Sequence, residues 1–342
     1  MTRGFDIWLH AYFLAGLIEL ADRHVLRLQL RVPSNDDALP DWCRDGYPLF
    51  VVQCHRNWLV FDPADHSDRW QSEALRDCSA YFKRSFHPPD LSGLPADHRK
   101  KIHPLNPIFA TWYRSPRWSA RLVFALLRQP IPWPLRRKAL LTFTQLSRLE
   151  AYEATPTENK QPKVLFQTRL WNPAEETGDW VEPTNAHRVA LVRALRRTLG
   201  DRLVGGLIRE PYAERHYPDL ITNLTASGRA RRPLFIRLCR QFLVRINIRA
   251  LFDAIPYSLA ETLAANNCLV SEPVRNMCAT PLIAGQHYLS FRSPEECAEH
   301  CRELLDSPRQ AQVLREQAYE YYRTAVQPAA AMRLYLTQAG IL

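Results

Sequence analysis

Residues 253–273 read DAIPYSLAETLAANNCLVSEP, and this stretch decides the fold class. Ser258 followed by Glu261 has the S-x-x-E pattern of a capping box, which predicts that a helix begins at Ser258. The apolar run CLVS after the helix predicts a buried strand, and VRINIRA (244–250) before it predicts another. A strand, a helix and a strand in this order indicate a parallel sheet with helices on its faces.

The same alternation extends back to residue 163. KVLFQTRLW (163–171) and RLVGGLI (202–208) are typical of strands, and NAHRVALVRALRRTLG (185–200) is typical of a helix. The polar segment AYEATPTENKQP (151–162) predicts a linker. We therefore predict an α/β protein with an N-terminal domain over 1–155 and a C-terminal domain over 163–342.

The N-terminal half has a less regular pattern. Apolar periodicity predicts a helix over 5–22 and strands at 25–32, 49–54 and 58–62. It also predicts a helix over 72–86, followed by a surface loop at 87–107. The apolar segment 5–25 contains Asp6, His10 and Glu19, so we expect a buried or amphipathic helix there rather than a signal peptide or a membrane span.

Charge predicts an anionic partner. The 342 residues include 45 Lys and Arg against 35 Asp and Glu, a net charge of +10. Nucleic acid, a membrane surface and a phosphorylated substrate would all fit this charge, although no nucleic-acid-binding motif accompanies it. Eight cysteines without a CxxC pair predict reduced thiols in a cytosolic protein. Cys297, His300 and Cys301 share a helix face, but a zinc site needs a further ligand, so ordinary packing is expected.

Motif order carries a family resemblance. From residue 244 onward, a helix containing Glu261 is followed by small residues, an apolar strand, GQHY (285–288) and SPEE (293–296). This order resembles the donor-binding domain of GT-B-fold glycosyltransferases of the group 1-like type. The resemblance implies two Rossmann-like domains, a nucleotide-sugar donor as substrate, no cofactor and no metal. It also implies an N-terminal acceptor domain and a last helix that crosses back to that domain.

The resemblance assigns residues to the donor. Asp253 and Glu261 match the family's E-x7-E, with Asp in place of the first Glu. Glu261 is thereby expected to hold the ribose, next to Ser258, and Asp253 to lie near the transferred sugar. Arg169 matches an arginine that reaches the donor phosphates, and Asn247 and Arg249 are expected to supplement it. WNPAEE follows Arg169 where the family has a lysine, so a donor with one phosphate stays open. The shorter side chain of Asp253 in place of Glu leaves either stereochemical outcome open.

A polar loop offers acids and a base on the acceptor side. FDPADHSD (61–68) places Asp62, Asp65 and His66 directly after a predicted strand. A catalytic base that activates the acceptor hydroxyl, a metal site and a solvated turn all fit this composition. His10 and His24 are alternative bases.

A basic aromatic segment runs from 112 to 141. Tryptophan beside arginine is typical of contact with an anionic membrane or acceptor, although core packing under a basic surface is the alternative. The residues assigned to this surface are Trp112, Trp118, Trp133, Arg136 and Arg137.

We thus expect a cytoplasmic glycosyltransferase, peripheral on the inner face of the cytoplasmic membrane, that builds a bacterial surface polysaccharide such as lipopolysaccharide. The alternative function is a non-catalytic basic α/β protein on a membrane or nucleic acid.

Overall fold

The computed structural model describes most of the chain. It covers residues 7–29, 40–43, 47–128, 145–176, 178–222 and 232–342, with single positions at 133, 137, 140, 141 and 224. Arg136 and the predicted strand residues 30–32 lie outside these residues.

The N-terminal half forms a four-stranded sheet in the order β1-β2-β3-β4. The hairpin β1–β2 is antiparallel, and β2, β3 and β4 are parallel. The elements of this half are α1 (Ile7–Asp22), β1 (Phe50–Cys54), β2 (Asn57–Asp62), α2 (Ser72–Asp77), β3 (Ala80–Lys83), α3 (Ala96–Arg99), β4 (Ile102–Pro104), α4 (Pro116–Arg128) and α5 (Leu149–Tyr152).

Three predictions for this half are wrong. The helix predicted over 72–86 ends at Asp77, because Ala80–Lys83 enters the sheet as a strand with all four residues buried. The loop predicted at 87–107 contains α3 and β4, since Ile102 fills the core beside β3. Residues 25–29 of the predicted strand at 25–32 form no strand.

The C-terminal half forms a five-stranded parallel sheet in the order β6-β5-β7-β8-β9. Its elements are β5 (Gln161–Thr168), α6 (Val181–Leu199), β6 (Leu203–Leu207), α7 (Pro211–His216), α8 (Arg232–Gln241), β7 (Phe242–Asn247), α9 (Tyr257–Ala264), β8 (Cys268–Ser271), β9 (Leu289–Ser290), α10 (Pro294–Asp306), α11 (Pro308–Tyr321) and α12 (Pro328–Gln338). The predicted α/β class with two sheets is confirmed. Among the described helices, none combines the length and apolar character needed to cross a bilayer.

The last helix, α12, packs on the N-terminal half. Just before it, Val326 accepts a hydrogen bond from the Tyr12 hydroxyl of α1 at 2.6 Å. The Tyr335 ring lies against Phe61 and Phe82 of the N-terminal sheet, at centroid distances of 6.0 and 5.2 Å. Its hydroxyl accepts from the backbone N–H of Asn106 at 2.7 Å. Helix α12 therefore completes the core of the N-terminal sheet.

The contact between α1 and α12 depends on Gly16. A Cβ atom there would lie 2.3 Å from the carbonyl oxygen of Pro328. We expect Gly16→Ala to lower the free energy of unfolding by about 1–3 kcal/mol, because the two backbones must move apart. Urea denaturation measures this. Gly93→Ala is the matched control, since a Cβ there meets nothing within 4 Å. Equal stability of the two variants would contradict the close approach.

Candidate functional site

The candidate site lies at the carboxyl ends of the C-terminal strands, where open α/β sheets bind ligands. Arg169 follows β5, Arg249 follows β7 and Glu272 follows β8. Because β5, β7 and β8 are parallel neighbours, these three charged residues meet at one edge of the sheet. The family resemblance assigned Arg169 and Arg249 to the donor phosphates, whereas Glu272 was missed.

Glu272 holds the backbone and side chain of Arg249. Glu272 is 8% exposed, and its carboxylate accepts from the backbone N–H of Arg249 at 2.6 Å. The same carboxylate lies 3.4 Å from Nε of Arg249 and 3.4 Å from Nε2 of His187 on α6. Arg249 thus leaves the strand in a fixed direction, with its guanidinium half exposed.

Asp253 sits on a strained turn beside Arg249. Phe252 and Asp253 have φ angles of 58° and 55°, a conformation that residues other than glycine rarely adopt. The Asp253 carboxylate accepts from Arg249 at 3.2 Å and from Arg275 at 2.9 Å, and it is 29% exposed. Strain of this kind concentrates at functional sites. The sequence predicted Asp253, but its second partner, Arg275, was missed.

Arg169 and Arg188 form a cationic pair after β5. The exposed Arg169 guanidinium lies 3.6 Å from the centroid of the Trp171 ring, and its backbone carbonyl accepts from Arg188 at 2.7 Å. The side-chain amide of Asn185 fixes the loop through both backbone groups of Trp171. Burial and the Arg169 charge lower the pKa of Arg188 to about 10. Its buried Nε has no hydrogen-bond partner among the described residues, so an anion there would find a donor that the protein leaves unused.

Two predicted donor-binding residues bind each other instead. Helix α9 begins after Pro256, so the predicted capping box at Ser258 is wrong. The Ser258 hydroxyl donates to the side-chain oxygen of Asn247, which is 2% exposed. The Asn247 amide in turn donates to Thr262 at 3.3 Å. These side chains join the end of β7 to α9, which leaves them a positioning role.

Glu261 is a buried member of an ion pair. Its side chain is 6% exposed and bonds the guanidinium of Arg232 on α8. Arg232 also donates to the Tyr152 hydroxyl at 2.8 Å and lies 4.7 Å from the Trp8 ring centroid. In this conformation the Glu261 carboxylate is engaged by α8, and a ribose would reach it only after Arg232 had moved away.

Asp62 is a buried ion-pair acceptor. Its side chain is 0% exposed and accepts from Lys83 at 3.1 Å, from the Tyr81 hydroxyl at 2.7 Å and from the backbone N–H of Ala64 at 2.9 Å. A carboxylate that is enclosed and saturated in this way has no route to an acceptor hydroxyl. The structure therefore does not support Asp62 as the predicted base.

Asp65 and His66 lie where the two halves meet. Asp65 pairs with Arg84, whose guanidinium also donates to the backbone carbonyl of Ile255. The His66 ring stacks on the ring of Phe252 at a centroid distance of 3.8 Å. Phe252 is the residue directly before Asp253 in the chain. The structure thus brings His66 and the Asp253 turn together, although they are far apart in sequence.

The basic aromatic segment divides into a buried and an exposed part. Trp112 and Trp118 are 7% and 3% exposed and pack against α1, so their rings are not available to a membrane. Trp133 is 61% exposed, and Arg137 is exposed as well. On α4, Phe124 is also exposed, and the guanidinium of Arg128 lies 4.1 Å from the centroid of its ring.

Metal-ligand groupings are absent from the part of the chain that the structure describes: no three His, Cys, Asp or Glu side chains lie close enough to hold an ion. Cys297 and Cys301 are buried in the core between α10 and the sheet, and His300 lies near Glu296 and Glu303 instead.

Five site residues were missed by reasoning from the sequence. Glu272 had a usable signal, because it directly follows a buried strand. The others come from helices or loops whose contact with the site depends on tertiary packing, and they are Arg188, His187, Arg232 and Arg275.

The C-terminal half of the chain is similar in sequence to a known protein family. Residues 188–337 match the family model described as glycosyl transferase-like. No curated protein matches the sequence.

Solved structures show more distant likenesses. HepE from Anabaena, in complex with UDP and glucose, is 9% identical with a TM-score of 0.43, over 79% of this chain and 65% of that one. WaaG, a glycosyltransferase involved in lipopolysaccharide biosynthesis, is 13% identical with a TM-score of 0.38, over 75% and 62%. The C-terminal domain of LpcC from Francisella tularensis is 9% identical with a TM-score of 0.36, over 52% and 97%. The match spans slightly less than two thirds of the length of the HepE chain.

These TM-scores are too low to define a fold, so the fold rests on the strand order given above. The loops after β2 and β3 of one sheet meet the turn after β7 of the other, as expected for GT-B architecture. The predicted resemblance to glycosyltransferases is confirmed over residues 188–337, which match the glycosyl transferase-like family model.

Proposed function

We propose that the protein is a glycosyltransferase that moves a sugar from a nucleotide-activated donor to a glycan or lipid-linked glycan acceptor. The observation that carries this proposal is the meeting of Arg169, Arg188 and Arg249 at one sheet edge, since Arg188 and Arg249 lie within the segment that matches the family model. HepE, the structural neighbour described above, binds UDP and glucose, which makes a uridine nucleotide the first donor to test.

The arginines would bind the donor phosphates. Negative charge develops on the leaving phosphate as the glycosidic bond to the nucleotide breaks, and fixed cations stabilise that charge. Arg169 and Arg249 offer exposed guanidiniums, and Arg188 offers its unused Nε–H. In this proposal the chain's own cations carry the leaving-group charge, and no metal takes part.

Asp253 and His66 would face the sugar and the acceptor. The transferred sugar passes through an oxocarbenium-like state, which a nearby carboxylate such as Asp253 stabilises. His66, a quarter exposed, is a better candidate base for the acceptor hydroxyl than the enclosed Asp62.

The acceptor side would lie on an anionic membrane. The exposed face of α4 carries Arg117, Arg121 and Arg128 beside Phe124 and Leu127. Arginine next to exposed apolar side chains suits a lipid headgroup layer. A lipid-linked acceptor would then be met at the inner face of the cytoplasmic membrane, in the synthesis of a surface polysaccharide.

Arg169 tests the phosphate contact. We expect Arg169→Ala to weaken UDP binding by about 1.5–3 kcal/mol and to leave uridine binding unchanged, because only the phosphates pair with the guanidinium. Isothermal titration calorimetry measures both ligands. Arg309→Ala, an exposed arginine of α11, is the matched control. Equal losses for UDP and uridine would move Arg169 out of the phosphate site.

If a screen of nucleotides and nucleotide sugars produced no thermal stabilisation, it would favour the non-catalytic alternative.

Glu261 tests whether its carboxylate serves the ribose or the ion pair with Arg232. Removing one partner of a buried pair costs about 3–5 kcal/mol, since it leaves the other charge unpaired. We therefore expect Glu261→Gln to lower stability strongly, and the double variant with Arg232→Gln to lose much less than the sum of the two single losses. Chemical denaturation of the three variants checks this. A stable Glu261→Gln protein with weakened UDP affinity would instead support the ribose role.

Charge reversal on α4 tests the membrane contact. Each basic residue near an anionic surface contributes about 1 kcal/mol, so Arg121→Glu/Arg128→Glu should release the protein from anionic vesicles. Co-sedimentation with vesicles of phosphatidylglycerol and phosphatidylcholine measures the bound fraction. Arg237→Glu/Arg309→Glu is the control of equal charge change, on exposed arginines of α8 and α11. The membrane proposal fails if both double variants sediment alike, or if pure phosphatidylcholine binds the wild type equally well.

A further inference from the structure

A cavity lies away from the sheet edge that carries Arg169, Arg188 and Arg249. It has a volume of about 560 Å³, within the range of ligand pockets in proteins, and it shares no residue with the site described above. Its walls come from the end of α1, the region of α5, and the beginning of α12. The polar residues that line it are Glu19, Arg23, Tyr113, Glu150, Glu153, Arg323, Gln327 and Arg333.

Part of this lining is fixed by the protein itself. Glu19 is 3% exposed and accepts from Arg23 and, at 2.8 Å, from the side-chain amide of Gln327. The Gln327 oxygen caps α12 by accepting from the backbone N–H groups of Ala329 and Ala330, at 2.9 and 3.0 Å. These contacts make a rigid wall rather than a collapsed side-chain cluster.

The remaining lining has hydrogen-bonding capacity to spare. Glu153 accepts from the Tyr322 hydroxyl at 2.9 Å through one oxygen only, and Arg333 is exposed without an ion partner among the described residues. Burial raises the pKa of Glu153, and the nearby Glu19 and Glu150 raise it further. A ligand hydroxyl that donated to Glu153 would stabilise its ionised form.

The charges of the cavity balance. Three carboxylates face three guanidiniums, so the site has no net charge with which to attract a simple cation or anion. It offers acceptors and donors side by side, together with small apolar surfaces from Leu20, Leu149 and Ala330. Vicinal hydroxyl groups on a carbon ring present the complementary pattern of donors, acceptors and C–H surface.

We propose that this cavity is a binding site for a neutral saccharide, distinct from the donor site. Glu153 and Arg333 bind ring hydroxyls, and the apolar wall residues contact the C–H face of the ring. The inference stands on the cavity alone and does not require the proposed transfer reaction.

The test is saturation-transfer NMR on the full chain. The probes are glucose, galactose, N-acetylglucosamine and lactose, with glucosamine, spermidine and glucuronate as charged comparisons. We expect saturation transfer to at least one neutral sugar, with the affinity lowered at least about tenfold in Arg333→Ala, since a hydrogen bond to a charged group is lost. Arg309→Ala is the matched control. Ala330→Phe, which fills the cavity, should abolish the signal, and far-UV circular dichroism checks that each variant is folded.

Two further comparisons separate this site from the donor site. Saturating UDP and the variant Arg169→Ala should both leave the sugar signal unchanged. If UDP or the Arg169→Ala substitution removed the saturation-transfer signal of the sugar, the sugar would be bound at the donor site, and the proposal would be overturned. The proposal is equally wrong if no neutral sugar binds, if only the charged probes bind, or if Arg333→Ala and Ala330→Phe bind as the wild type does.

Discussion

The buried guanidinium of Arg84 holds the two halves of the molecule in register. It is 3% exposed, and it donates to the carbonyl oxygen of Pro63 at 3.2 Å as well as to Asp65 and Ile255. Its guanidinium carbon lies 4.1 Å from the centroid of the Tyr257 ring. A buried cation is tolerated only when its donors are satisfied, so these four contacts must form together. They fix the loops after β2 and β3 against the turn between β7 and α9, and the stacking of His66 on Phe252 depends on that placement.

Strands β5 to β8 of the C-terminal sheet could be predicted from their apolar residues, whereas β9 has only two residues, Leu289 and Ser290. Parallel strands and their helices then follow from chain order alone. The N-terminal half has fewer turn residues at one boundary between its elements. Between α2 and β3 only Cys78 and Ser79 intervene, with neither glycine nor proline to mark the end of the helix. The apolar residues of β3 therefore continue the helical periodicity, and burial beside β2 decides their strand conformation.

Part of the candidate site could be predicted from the sequence. Arg169 and Arg249 stand close after strands, and Asp253 matches the E-x7-E spacing. Ser258 looked like a cap, but the neighbouring Asn247 takes its hydroxyl, and the helix begins after Pro256 instead. Asp62 looked like an exposed acid in a polar loop. Tyr81 and Lys83 enclose it, and both come from a strand whose existence the sequence did not indicate.

The position of α12 has a consequence for how the chain is made. The N-terminal sheet is synthesised first, yet Phe61 and Phe82 bury part of their surface against Tyr335, which is added only after the whole C-terminal sheet. While the ribosome is still synthesising the C-terminal sheet, this apolar surface stays uncovered. Exposed surface of that kind is open to chaperones and to premature association. The native N-terminal core can therefore close only after the segment carrying Tyr335 has left the exit tunnel.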